Sequence, residues 1–256
     1  MDLNSDVGES FGRYSLGMDA ALMPYITSAN IACGLHAGDP LVMDQTVRLA
    51  REHGVAIGAH PGFPDLQGFG RRAMQLAPEE AEAFVLYQIG ALAAFARAAG
   101  VELAHVKPHG ALYNQAARDR VLAQAIARAV ARFDRQLILV GLANSALVEA
   151  GLEAGIRIVR EGFADRAYES DGSLRPRHLP GAVLLDPARA AAQAVRIARE
   201  GRVVSYTGDE VPVQAETLCL HGDTLNALGM AQAIRQALAD AGIPVVPLAG
   251  SGAGAG

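Results

Sequence analysis

A parallel α/β fold, closed into a barrel or opened as a doubly wound sheet, is the class that this sequence predicts. Three observations predict it. Short apolar runs alternate with longer stretches of helical periodicity, so seven candidate strands are joined by crossovers that make neighbours parallel and right-handed. The 256 residues match the length at which α/β barrels form one domain. Ionisable residues also recur at the same end of strand after strand, which is where a parallel fold collects its ligand-binding groups.

Met1 to Gly8 reads as the first strand, with Asp6-Val7-Gly8-Glu9-Ser10 as the turn that leaves it. In Ser28 to Pro40, Ile31 to Cys33 can be buried on both faces, while Gly34 and Gly38 allow a sharp turn that delivers His36 and Asp39. Asp39 is the expected N-cap, and Pro40 the first residue, of a helix ending near His53-Gly54. Val55 to Ala59 is the next strand, followed by His60-Pro61-Gly62-Phe63-Pro64-Asp65 and a glycine-rich connection ending in Arg71-Arg72. Glutamates favour the start of a long helix from Pro78 to Ala99, and Gly100 closes it.

Leu103 to Val106 is a strand that leads into Lys107-Pro108-His109-Gly110-Ala111-Leu112-Tyr113-Asn114. Arg118 to Arg132 has helical spacing, Leu137 to Val140 is a strand, and Asn144-Ser145 can cap another helix. The strand Ile156 to Val159 delivers Glu161-Gly162-Phe163-Ala164-Asp165-Arg166. Ala167 to Gly181, with its prolines and Asp171-Gly172 turn, reads as a long excursion. Asp186-Pro187 opens a helix to about Arg199, and Val203 to Tyr206 reads as a minor strand. Thr217 to Leu220 is the last inner strand and delivers His221-Gly222-Asp223-Thr224. A helix from Leu225 to Ala241 and a short Val245-Val246 strand complete a single domain over residues 1–249, with 250–256 a flexible Gly/Ala tail.

Composition removes several classes. With 51% hydrophobic and 19% charged residues, the chain is not intrinsically disordered. A net charge of −5 and the lack of a Lys/Arg cluster argue against nucleic acid, and no apolar run reaches the length of a membrane span. The first residues have neither a basic nor an apolar signal region, so a cytoplasmic protein with two reduced thiols, Cys33 and Cys219, is expected. A catalytic thiolate is the sharper alternative for these cysteines. No Gly-x-x-x-x-Gly-Lys-Ser/Thr loop is present, and the terminal glycines lack the flanking strand and helix of a nucleotide fingerprint.

Asp6, His36, His60, Lys107 with His109, Asp165 and His221 each fall near the carboxyl end of a different predicted strand. Two chemistries suit them. An Asp with two imidazoles can hold a divalent ion that polarises an amide and acidifies bound water. Without metal, a carboxylate can act as general base while a lysine and an imidazole stabilise an oxyanion. Spacing does not choose between these. Arg71 and Arg72 are either a bidentate clamp for a carboxylate or phosphate or a surface pair.

Six stretches of this chain together resemble the LamB/YcsF family. They are Asp2 to Glu9, Ser28 to Pro40, Gly58 to Asp65 with Gly68-Phe69-Gly70-Arg71-Arg72, Val106 to Asn114, Glu161 to Tyr168 with Asp171, Gly172, Leu174 and Arg177, and Leu220 to Thr224. The resemblance runs through nearly the whole chain in order. It implies a distorted seven-stranded (β/α) barrel akin to carbohydrate deacetylases of the glycoside hydrolase/deacetylase superfamily. It also implies the A subunit of an ATP-dependent 5-oxoprolinase, which opens the lactam of 5-oxo-L-proline to L-glutamate together with the B and C subunits, with ATP as co-substrate. In the deacetylase-like relatives an Asp and two His hold a divalent metal; Asp6, His36 and His60 are the positions here that would correspond. On this footing Asp6, His36, Lys107 and His109 are the expected catalytic residues, and Asn30, His60, Arg71, Arg72, Asp165 and His221 the expected substrate-binding ones. A metal-dependent hydrolase working without ATP, and a subunit that only binds substrate, are the competing expectations.

Overall fold

The computed structural model describes residues 1–221 and 226–248. Seven parallel strands close into a barrel in chain order: β1 (Asp2–Val7), β2 (Ser28–Ala32), β3 (Ala56–His60), β4 (His105–Val106), β5 (Ile138–Leu142), β6 (Arg157–Phe163) and β9 (Thr217–His221), which pairs back onto β1. The closed barrel, one of the two predicted forms, is thus the observed one. The minor strand expected at 203–206 is β7 (Arg202–Val204), which pairs antiparallel with β8 (Glu210–Pro212) outside the barrel.

Helices α2 (Pro40–Glu52), α3 (Pro78–Ala98), α5 (Arg120–Phe133), α6 (Ala146–Glu153), α7 (Pro187–Glu200) and α8 (Ala227–Asp240) lie close to their expected places. Asp39, Ser145 and Asp186 cap α2, α6 and α7 as their sequence positions require. Two short helices were not predicted, α1 (Asp19–Leu22) and α4 (Gly110–Ala116), because neither is long enough to show periodicity. Val245-Val246 forms no strand; the Val246 N–H donates one hydrogen bond to the Met1 carbonyl. The predicted Gly222-Asp223-Thr224 turn, the residue Leu225 and the 250–256 tail lie outside the described residues. Among the described residues no helix is long and apolar enough to cross a membrane.

Strand side chains alternate between the barrel interior and the helical shell. In β1, Leu3 and Val7 join the main apolar core. Asp2, Asn4 and Asp6 have the opposite parity and hydrogen-bond to Ser28, Glu161 and Asn30 of other strands. Ser28 and Asn30 in β2, and Thr217, Cys219 and His221 in β9, repeat this pattern between apolar neighbours. At the base, the Asp2 carboxylate accepts hydrogen bonds from Thr27 and Ser28 at 2.7 Å and Thr217 at 2.5 Å. Above it Asn4, Asn30, His105 and Glu161 form a second, fully buried polar layer. Glycine is required in β3, because a Cβ on Gly58 would stand 2.1 Å from His105 Nε2, its register partner on β4.

Candidate active site

The third polar layer opens to the carboxyl ends of the strands, and Lys107 is its centre. Its residue is 2% exposed, and its Nζ donates to Asp6 Oδ1 at 3.0 Å, Glu161 Oε1 at 2.9 Å and Asn4 Oδ1 at 3.1 Å. Burial opposes its charge, but Asp6 above all, with Glu161, holds its pKa well above the ordinary lysine value. Lys107 is therefore a fixed ammonium. Glu161 is fully buried and also accepts from Asn4 Nδ2 at 2.9 Å and the Tyr113 hydroxyl at 2.6 Å. Burial alone would raise the Asp6 pKa, yet His60 and Lys107 bring it well below the usual carboxylate range. Such a carboxylate is a weak base and a strong orienting charge.

Four buried residues crowd beside Asp6: Glu9, His36, His60 and His109. His60 Nδ1 faces the Lys107 carbonyl at 2.7 Å, and His109 Nε2 faces the Phe69 carbonyl at 2.8 Å. A carbonyl only accepts, so these two nitrogens carry protons. The remaining nitrogens, His60 Nε2 and His109 Nδ1, meet at 3.0 Å. Asp6 Oδ2 lies 3.3 Å from that His60 nitrogen, and Glu9 Oε1 lies 3.6 Å from the His109 one. His36 stacks on His109 with ring centroids 3.7 Å apart, its Nε2 lies 3.6 Å from Glu9 Oε1, and neither of its ring nitrogens has a hydrogen-bond partner among the described residues. Burial first, then the neighbouring imidazoles, depress the pKa values of His36 and His109.

Converging lone pairs of this kind repel unless a cation sits among them, either one shared proton or a metal ion. The donor set of three imidazoles and a carboxylate suits a divalent transition metal. Glu9, His36, His60 and His109 fit such an ion better than the expected Asp6, His36 and His60. Asp6 is drawn aside by the Lys107 ammonium, which would repel a second cation at that carboxylate.

The pocket at this face is lined by Asp6, His60, Lys107, His109 and His221, with Glu9, Tyr113 and Arg71 also in its wall. Of the other expected site residues, His36 is buried behind His109, and Asn30 lies below Asp6, donating to it at 2.9 Å. Asp165 is fully buried and accepts from the His221 backbone N–H at 3.0 Å and ring Nδ1 at 2.9 Å, so it positions His221 and does not face the pocket. Burial opposes its ionisation, and His221 overcomes this to lower its pKa. Arg72 points away: its guanidinium is paired with Asp65 and mostly exposed, leaving Arg71 as the member of the pair in the wall. Glu9, Glu161 and Tyr113 were not singled out from sequence, although all lie within the quoted motifs. The thiolate alternative fails, because burial pushes the Cys33 pKa up to about 12 and that of Cys219 well above the ordinary thiol value.

The excursion after β6 folds back over this face. Antiparallel bridges join Arg166 to Val183 and Tyr168 to Leu174, and the Tyr168 hydroxyl accepts from the Phe163 N–H at 2.7 Å. Tyr168 is fully buried, so this part of the excursion is core. Arg166, Leu174 and Arg177 thereby enter the pocket wall.

Fold and site define a parallel α/β barrel whose polar interior rises into a carboxylate, imidazole and ammonium centre at the C-terminal face, the architecture of a barrel hydrolase. The chain belongs to the LamB/YcsF family, whose model matches residues 1–252. It is 61% identical over 245 residues to a protein of Symbiobacterium thermophilum named as the A subunit of 5-oxoprolinase, covering 96% of this chain and 94% of that one. It is 54% identical over 248 residues to the protein of the same name from Pyrococcus abyssi, covering 97% of each. The solved lactam utilization protein from Thermus thermophilus is 53% identical, with a TM-score of 0.91 over 96% of this chain and 99% of that one. At 16% identity and a TM-score of 0.51, over 96% of this chain and 86% of the other, a T48 deacetylase solved with its substrate shares the fold alone.

Proposed function

We propose that this chain is the A subunit of a cytoplasmic 5-oxoprolinase, opening the lactam of 5-oxo-L-proline to L-glutamate with hydrolysis of ATP to ADP and phosphate, in a complex with the B and C subunits. The observation that carries the reading is the Lys107 ammonium, held at the pocket floor between Asp6 and Glu161 and beside the imidazole cluster. A five-membered lactam is a poor electrophile. Transfer of the terminal phosphoryl group of ATP to its carbonyl oxygen, with ADP leaving, makes the carbon open to water; the tetrahedral adduct expels the ring nitrogen, which takes a proton, and a second water releases phosphate from the resulting acyl phosphate. The negative charge carried on oxygen is what a desolvated ammonium is suited to stabilise. Lys107 and His109 face that charge, His221 is aimed by Asp165, and Arg71 in the wall reads the substrate carboxylate. Asp6 orients Lys107 and His60 and holds the nucleophilic water; its low pKa makes it a positioning charge.

When bound, a divalent ion at Glu9, His36, His60 and His109 would supply a polarised amide oxygen and a more acidic water. That donor set favours a second reading, an amide hydrolase that needs metal and not ATP. One experiment tests both. In the reconstituted three-subunit enzyme, Asp6→Asn abolishes glutamate release while the circular dichroism spectrum still reports a folded chain, with a melting temperature lowered because Lys107 and His60 lose a buried carboxylate. Turnover at the wild-type rate removes Asp6 from the mechanism. Wild-type glutamate release that persists without ATP and stops on chelation establishes the second reading.

A further inference from the structure

Beside the catalytic pocket lies a cavity of about 570 Å³ with a different character. Arg71, Arg118, Arg166 and Arg177 line it together with His178, and no Asp or Glu is among the described residues of its wall. In a chain of net charge −5, four guanidinium groups around one space are a local reversal of sign. Neither Arg166 nor Arg118 is held in a close ion pair among the described residues, although the buried Asp165 carboxylate lies near enough to Arg166 to favour its charge. Arg166 is 5% exposed and donates to the backbone carbonyls of Ala182 at 3.1 Å and Arg175 at 2.6 Å, which are dipoles and not charges. Burial, and next Arg177, depress the Arg166 pKa to about 10, so these guanidinium groups repel one another. Arg118 faces Asp171 at 3.9 Å, both about two-thirds exposed and screened by water.

The cavity adjoins the catalytic pocket. Arg71, Asn114, Arg166 and Arg177 belong to both walls. The Arg71 guanidinium rests over the Phe69 ring at 5.0 Å, and the Phe69 carbonyl holds His109. A ligand here therefore ends next to the reacting groups. Guanidinium forks match phosphate oxygens bidentately, and several spaced along a channel suit a chain of phosphates better than a single carboxylate.

We propose that this cavity receives the phosphate chain of a nucleoside triphosphate, with the terminal phosphoryl group at the wall shared by Arg166 and Arg177. Arginine side chains would then do what backbone amides do in a P-loop, a motif absent from this sequence. The proposal rests on the ATP-dependent reading above and adds where the nucleotide lies.

The test measures KM for ATP and for 5-oxoproline in the reconstituted complex, and binding of tripolyphosphate to this chain alone by calorimetry. Variants are Arg118→Ala and Arg177→Ala, with Arg120→Ala, an exposed arginine outside the cavity, as control. Expected is a tenfold or greater rise in KM for ATP in both cavity variants, with KM for 5-oxoproline within twofold in Arg118→Ala and the control unchanged. Tripolyphosphate should bind wild type with one-to-one stoichiometry and at least tenfold more weakly to each cavity variant. Unchanged KM for ATP in folded cavity variants overturns the proposal while leaving the ATP-dependent function standing. If the complex consumes no ATP, that functional reading fails, and tripolyphosphate binding alone decides whether the cavity is a polyphosphate site.

Discussion

The two sides of the barrel interior differ in chemistry although one continuous hydrogen-bond ladder builds both. Facing inward, β1, β2, β4 and β9 carry Asp2, Asn4, Asp6, Ser28, Asn30, His105, Thr217 and His221. On β5 and the first half of β6, Ile138, Val140 and Val159 form a separate buried apolar cluster with Leu248. Val159 has the same parity as Glu161 and Phe163, so β6 changes from apolar to polar as it rises towards the mouth. The apolar side needs only shape complementarity. Each buried group on the polar side needs partners, and the network that supplies them also fixes the positions of Lys107, His60 and His221.

Replacing Lys107 breaks this comparison most severely. Lys107→Met removes the ammonium facing Asp6 and Glu161 and leaves two buried carboxylates without that cation. Loss of one partner from a buried ion pair costs about 3–5 kcal/mol. Glutamate release by the complex should fall below detection, and the urea midpoint should fall markedly. Ile138→Ala, across the barrel, should cost about 2–5 kcal/mol through its cavity and leave KM for 5-oxoproline within about twofold. If the apolar variant loses activity out of proportion to its stability, the two sides are not separable.

Much of the polar side was legible in the sequence, and the reason is geometric. In a parallel barrel every strand end points to one mouth, so His60, Lys107, His109 and His221 could be placed there from strand assignment alone. Depth was not legible. His36 and Asp165 lie at strand ends but one layer behind the wall, since a turn's path decides whether a side chain lines a cavity or supports one that does. Arg71 and Arg72 are adjacent yet diverge, because Asp65 captures the second. Glu161 sat inside a recognised motif, and period-two alternation of polar residues at positions 2, 4 and 6, then 28 and 30, then 217, 219 and 221 is the signal that could have exposed the buried network. Alternation in a strand buried on both sides is unusual in parallel sheets, whose strands ordinarily read as apolar runs.

Acid should sharpen the contrast by a smaller amount. His105 is fully buried, hydrogen-bonded through Nε2 to Asn30 Oδ1 at 2.8 Å, and burial followed by Lys107 brings its pKa down to about 3. The unfolded chain binds a proton at this residue below about 6.5, while the folded chain refuses it until about 3. Stability should therefore rise with pH across that window and be lost as pH falls through it, by up to about 1.4 kcal/mol per pH unit from this residue. Urea titrations at pH 6.5, 5.5 and 4.5 should show a shallower dependence in His105→Gln than in wild type. Equal slopes would mean that His105 accepts a proton while folded.

The smallest effect is expected outside the barrel, where charge pairs meet water. Glu82 on α3 accepts from Arg128 Nε at 2.9 Å and Arg132 at 2.5 Å on α5, and the two arginines, Arg132 first, lower its pKa. Both guanidinium groups are about half exposed or more, so water and salt screen the attraction. Arg132→Ala should cost about 0.2–1 kcal/mol, a loss that shrinks further in high salt. The same kind of ion contact joins Lys107 to Asp6, and only burial separates the two. Comparing the salt dependence of Arg132→Ala with that of Lys107→Met isolates this difference: the first should fade as ionic strength rises, and the second should persist, because a pair almost fully buried at the pocket floor is screened far less than one in water.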